Sequence, residues 1–163
     1  MSLQRLSYLL IFLVCAGLLG FGYYLEYGKG LDPCPLCMLQ RLFFLVIGLG
    51  SLIAALHNPK SLGIRIYSGF LMLFSMMGAA VAGRQVWLQY LPLDQVPECG
   101  PGLEYMLEVY PLGETLTKIL KGTGDCAEVD WTFLELSIAE WALISFIVLA
   151  AVSVLQLWRA GSK

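Results

Sequence analysis

Charge is what this sequence has least of. Only 13% of its 163 residues are Asp, Glu, Lys or Arg, while 58% are hydrophobic, against roughly 25% and 45–50% in a soluble domain. With a mean hydropathy of +0.74, this balance excludes an ordinary water-soluble fold and points to a membrane protein. Histidine is almost missing too, with His57 alone. There is no internal repeat and no low-complexity tract, and no nucleic-acid partner is expected.

The missing charges are missing in blocks. Residues 6–25, 42–59, 66–83 and 141–158 contain no Asp, Glu, Lys or Arg. At about 1.5 Å per residue, a helix of some 18 residues covers roughly 27 Å, close to the hydrocarbon thickness of a bilayer. The expected fold is an all-α membrane protein, a bundle of four transmembrane helices in a single domain covering residues 1–163. Its spans lie at about 6–26, 40–58, 65–85 and 140–158, with loops at about 27–38 and 86–139. The first run is too long for the apolar core of a signal peptide, about 7–15 residues, and is expected to be a retained span.

Acidic residues are absent from one side. If both termini share a face, that face carries Arg5, Lys60, Arg65, Arg159 and Lys163 and no acid, and the opposite face takes all twelve Asp and Glu. The count of Lys and Arg alone does not choose an orientation. The acid-free face, together with the cysteines, makes the termini cytoplasmic. The outer surface is then the short loop and the long one, and the latter holds nearly all the non-membrane chain. Within it Leu103, Met106, Leu107, Tyr110, Leu112, Leu116, Ile119 and Leu120 recur at helical spacing between charged residues. Short amphipathic helices fit this pattern, lying on the bilayer surface or packing over the bundle.

Five cysteines stand out against this background. Cys34 and Cys37 sit in the short outer loop within "DPCPLCMLQR", Cys99 and Cys126 in the long outer loop, and Cys15 alone inside the first span. Three readings compete for the four outer thiols. A zinc site would bring a second closely spaced pair, whereas Cys99 and Cys126 are far apart and His57 is on the other side; no metal is expected. A structural disulfide between Cys99 and Cys126 would add roughly 3–4 kcal/mol. A staple explains Cys34 and Cys37 poorly, because a bridge across two residues constrains little chain. Pro35 suits a first helical turn, so the helix would begin at this pair. Its N-terminal partial charge and Arg41, at i+4 from Cys37, would both favour a thiolate. Arg41 also suits an interfacial anchor, or a donor to the polar head of a lipid-soluble molecule. Arg84, at the outer end of the third span, has the same two readings, with the anchor preferred. Cys15 is expected to act as a small hydrophobe without a catalytic role.

At these residues "CPLCMLQR" resembles the CxxCxx[E/Q]R signature of the DsbB family of disulfide bond formation proteins. "GRQVWLQ" and "GDCAEVDWTFL" are similar to the family's third-span end and second-loop motif. The likeness covers nearly the whole chain. The sequence departs from it at Tyr90, Glu135 and Ala139, where relatives often have His, Gly and Pro.

The resemblance implies a bacterial inner-membrane oxidoreductase that reoxidises a DsbA-like periplasmic oxidase and passes electrons to ubiquinone or another membrane quinone. By the same resemblance Cys34, Cys37, Cys99 and Cys126 are the catalytic cysteines. The partner's thiolate attacks Cys99, Cys126 attacks Cys34, and Cys37 is freed beside Arg41, with Cys37 and Arg41 at the quinone. Two alternatives remain at this level: a paralogue serving a different dedicated oxidase, and a disulfide-stapled membrane protein without enzymatic activity.

Overall fold

The computed structural model describes residues 3–92, 94–97, 103–129 and 131–161. Four helices are long and apolar enough to cross a membrane: α1 (Leu3–Tyr23, continued by a π-helical turn, Tyr24–Gly28), α2 (Pro35–His57), α3 (Ser61–Gln89) and α6 (Ile138–Gly161). At about 1.5 Å per residue even the 23-residue spans exceed the roughly 30 Å of a hydrocarbon core. Large apolar side chains point outward along all four. Leu13, Leu56, Leu62 and Ile66 are 60–71% exposed, the surface a lipid-embedded bundle presents and one a soluble protein avoids. The all-α membrane fold is thus the observed one.

The helices alternate in direction, and the breaks between them are written locally. α2 stops at Asn58, whose left-handed backbone (φ 48°, ψ 59°) closes the helix. Pro59 follows, and α3 begins at Ser61, so the two helices return antiparallel after a minimal link. α1 packs along α2, α2 on α3, and α3 along α6. The start of α1 and the end of α6 therefore lie at one end of the bundle, and the cysteine pair at the start of α2 at the other.

Close contact replaces the hydrophobic effect as the cohesive force between helices in lipid. Phe44 of α2 stacks on Phe146 of α6, with ring centroids 4.0 Å apart and planes 7° from parallel. Gly78 lets this ring in, for a Cβ there would collide with Phe146. Cys15 is wholly buried, with its Cβ 3.2 Å from where a side chain on Gly48 would begin. Towards the chain ends, Tyr8 Oη donates to Ser68 Oγ (3.0 Å), which donates to Gln156 Oε1 (3.1 Å), tying α1, α3 and α6 together.

The long loop carries α4 (Leu103–Val109) and α5 (Leu112–Lys121). Met106, Thr115 and Ile119 are buried, while Leu112, Leu116 and Leu120 face outward. Arg84 donates to the carbonyl of Lys121 (2.9 Å) and so holds the C-terminal end of α5 over α3. A hairpin follows, β1 (Thr132–Phe133) and β2 (Leu136–Ser137), which has no counterpart in the sequence reading. Its two turn residues, Leu134 and Glu135, both have positive φ (53° and 66°). That geometry suits a tight hairpin but disfavours side chains with a Cβ. Ser137 and Glu140 then form a capping box: Glu140 N donates to Ser137 Oγ and Ser137 N to Glu140 Oε2.

Candidate functional site

The CxxC segment is placed by its prolines. A residue before proline is pushed out of the helical region, and Cys34 accordingly is extended (φ −67°, ψ 160°). Pro35 opens α2, which makes Cys34 the N-cap and sets Cys37 on the first turn. Cys37 N donates to Cys34 Sγ at 3.4 Å, and the two sulfurs are 2.9 Å apart. That is closer than van der Waals contact and longer than the roughly 2.05 Å of a disulfide.

Cys126 arrives from the long loop. The left-handed Gly122 (φ +79°) ends α5, and a short 3-10 turn, Gly124–Cys126, carries the thiol against the start of α2. Cys126 is wholly buried and hydrogen-bonded to Cys34, whose sulfur also contacts that of Cys37. The electrostatics divide one proton unequally. The Cys126 thiol is pushed down to about 6 by the hydrogen bond from Cys34, against the opposing effect of burial, with further help from the backbone N–H groups of Leu36 and Thr123. Leu36 lies in the opening turn of α2, so the helix N-terminus serves Cys126. The Cys34 thiol is pushed up, because its hydrogen bonds to Cys126 and Cys37 and its burial all favour the protonated donor. Cys99 lies outside the described residues.

Cys37 is the more open of the CxxC pair and faces a cavity of about 510 Å³ between α1, α2, α3, the hairpin and α6. Its walls are mostly apolar. Trp131 packs edge-on against Phe21 (5.4 Å between centroids) and stacks on Phe133 (6.1 Å), and the Trp141 indole N–H holds the Phe133 carbonyl at 3.0 Å. The polar groups on the walls are Cys34, Cys37, Gln40, Arg41, Gln85, Gln89, Ser137, Asp125 and Glu128, with Asp32 at the short loop.

Arg41 reaches back to α1. It forms an ion pair with Glu26, donates to the Gly22 carbonyl (3.1 Å), and sets its guanidinium 5.0 Å over the Tyr23 ring. Glu26 lies in the π-helical turn, a rare conformation that tends to mark functional positions. The described contacts of the Cys37 sulfur are instead to Cys34 and to Gln85, whose Nε2 donates to it at 3.1 Å. Tyr90 is not among the described residues that line the cavity. It donates to Glu140 Oε1 (2.9 Å), and that carboxylate holds the phenol above its usual range. His57 pairs with Tyr67 Oη (3.0 Å) at the opposite end of the bundle.

Sequence reasoning gave no role to Glu26 or Gln85, nor to Gln40, although it quoted the segments containing the two glutamines. The available signal was polarity in the wrong place. Uncharged amides inside apolar spans are costly unless partnered, and so mark positions with a task.

Comparisons with known proteins give the family. The family model described as "Disulfide bond formation protein DsbB" matches residues 4–156. A protein of Hahella chejuensis named "Disulfide bond formation protein B" is 58% identical over 149 residues, covering 91% of this chain and 90% of that one. One of the same name from Methylococcus capsulatus is 53% identical over 156 residues, covering 96% and 95%. "Disulfide bond formation protein B 1" of Pseudomonas aeruginosa is 46% identical over 155 residues, covering 95% of each. With four spanning helices and a cysteine pair at the mouth of the second, this chain belongs to the DsbB family of disulfide bond formation proteins.

Proposed function

We propose that this protein reoxidises a periplasmic thiol oxidase of the DsbA type and passes the electrons to a membrane quinone of the ubiquinone class. In this reading the protein lies in a bacterial inner membrane. The termini, with Arg5, Lys60, Arg65 and Arg159, face the cytoplasm, and the cysteine end faces the periplasm. The observation that carries it is the group of three sulfurs, Cys126, Cys34 and Cys37, gathered beside an apolar cavity that Cys34 and Cys37 line.

Electrons move between thiol pairs only through mixed disulfides. Reduced partner attacks Cys99 of a Cys99–Cys126 disulfide, and Cys126 leaves as a thiolate. The lowered pKa of Cys126 suits it to leave and to remain charged at neutral pH. It then attacks Cys34, the Cys34–Cys126 bond forms, and the electron pair of the Cys34–Cys37 bond stays on Cys37. Stabilising a reduced thiolate makes the pair more oxidising. Such help is needed, because the partner type lies near −120 mV, whereas ordinary structural disulfides lie below about −300 mV.

The cavity fits a quinone head group. Its aromatic and aliphatic walls suit a ring, and the N–H groups of Arg41 and Gln89 suit the carbonyl oxygens. Bound there, a quinone supplies a two-electron acceptor. Arg41 keeps donors to spare, since Glu26 and Gly22 do not use all five of its N–H groups. The aromatic hairpin excludes water from the thiolate side.

The test is quinone reduction by purified full-length protein given a reduced DsbA-type partner and ubiquinone-1. Wild type consumes quinone, and Ser at Cys34, Cys37, Cys99 or Cys126 lowers turnover at least about 100-fold while the protein still inserts. A wild-type protein that consumes no quinone removes this reading and leaves the disulfide-stapled alternative.

A further inference from the structure

Two buried glutamines meet beside the CxxC pair. Gln85 of α3 and Gln40 of α2 are each only 4% exposed. Gln40 Nε2 donates to Gln85 Oε1 at 2.7 Å, and Gln85 Nε2 lies 3.1 Å from Cys37 Sγ and 3.4 Å from Cys34 Sγ. The amide thus straddles the two sulfurs and lies nearer to Cys37.

We infer that Gln85 is a catalytic residue of thiol exchange, its side-chain N–H holding the Cys37 sulfur as that sulfur leaves Cys34, and that Gln40 is the positioning residue that turns the amide. The step balances without an added reagent. The Cys126 thiolate attacks Cys34 Sγ, the new bond joins Cys34 to Cys126, the Cys34–Cys37 bond breaks, and its electron pair remains on Cys37 as a thiolate. Gln85 transfers no proton. It supplies the hydrogen bond that water would supply in solution, in a place where water is scarce.

Three features favour this role over packing. An apolar side chain would fill the space without burying an amide, which costs free energy unless each polar atom is partnered. An amide can present either end, and the contact from Gln40 commits Oε1, leaving Nε2 for the sulfurs. The amide N–H lies closer to the Cys37 sulfur (3.1 Å) than the amide oxygen does (3.5 Å), so the amide presents its donor end to the charged sulfur. Arg41 is drawn towards α1 by Glu26 and Gly22, and its described contacts do not include the Cys37 sulfur.

This inference rests on the exchange reading above, yet its test needs neither quinone nor partner. Fully reduced full-length protein in detergent is alkylated with iodoacetamide from pH 5 to 9, and the rate at Cys37 is read by peptide mass spectrometry. In Gln85→Met the rate at pH 7 falls about tenfold and the midpoint of the pH profile moves up by about one unit, the equivalent of one charge-assisted hydrogen bond. Gln40→Met falls about threefold, and the double variant no further than Gln85→Met, because Gln40 acts through Gln85. Gln85→Glu keeps the shape should the Met variant fail to insert, and it slows alkylation likewise by facing the thiolate with a carboxylate. An unchanged profile in the Gln85 variants, or fully additive losses, overturns the inference. A shifted profile in a protein that reduces no quinone leaves it standing and removes the quinone reading instead.

Discussion

Cys126 is hydrogen-bonded to Cys34, and the two thiols titrate in opposite directions, Cys126 downward and Cys34 upward. A residue of the long loop thereby becomes the neighbour of the N-cap of α2. The Cys34 sulfur also lies 2.9 Å from that of Cys37, the contacts the proposed relay asks of it.

The first consequence is a pH dependence of the reduced protein. Cys126 is lowered from an ordinary 9.0 to about 6. Between those values the folded chain binds fewer protons at this site than the unfolded chain, so its contribution to stability is complete above pH 9, shrinks as pH falls, and is gone below about 6. Cys34, raised by its hydrogen bonds, contributes fully below pH 9 and loses that contribution above it. Denaturant unfolding of reduced protein from pH 6 to 9 should show stability rising with pH, with the rise flattened in Cys126→Ser. Equal slopes in the two proteins would remove the assigned acidity.

Glu26 should govern how well Arg41 serves the cavity. Only about a fifth of either side chain in this pair is exposed, so the carboxylate fixes the guanidinium more firmly than a surface ion pair would. In Glu26→Gln the quinone KM is expected to rise roughly fivefold, corresponding to about 1 kcal/mol, with kcat little changed. An unchanged KM would mean that Gly22 and the Tyr23 ring hold Arg41 unaided.

The hairpin turn is under strain at Glu135, whose φ is +66°. Glycine carries no penalty there, so Glu135→Gly should raise stability by about 0.5–1 kcal/mol, seen as a higher midpoint in thermal unfolding in detergent. A lower midpoint would mean that the Glu135 side chain has a stabilising contact that outweighs the strain.

Gly78 should tolerate no side chain. A Cβ there meets the Phe146 ring, which is stacked on Phe44 and cannot retreat without breaking that contact. Gly78→Ala should cost about 1–3 kcal/mol through overpacking, whereas Gly69→Ala, with open space around it, serves as the neutral control.

The bundle was legible in the sequence because its signal is long: spans of some 18 uncharged residues fix four helices and their alternation. The site was legible where spacing carried the geometry, as with the helix opening at Pro35 between Cys34 and Cys37. The hairpin was not, because two-residue strands show no alternation and Leu134-Glu135 lacks the glycine or asparagine that signals such a turn. Arg41 was expected to favour the Cys37 thiolate from i+4, but helical spacing cannot say that a side chain will turn to Glu26 on another helix. Gln85 and Cys126 reach the pair from α3 and from the loop, and contacts between distant segments leave no periodic trace.

The relay itself is tested most directly by trapping it. With Cys37→Ala no Cys34–Cys37 disulfide can form, so when the fully reduced variant is treated with an excess of the oxidised DsbA-type partner, whose disulfide takes up the two electrons, Cys126 and Cys34 should end up joined. Peptide mapping under non-reducing conditions should then recover a Cys34–Cys126 disulfide as the main product. Recovery of Cys99–Cys126 with Cys34 left as a free thiol would contradict the role of Cys34 as the sulfur between the two pairs.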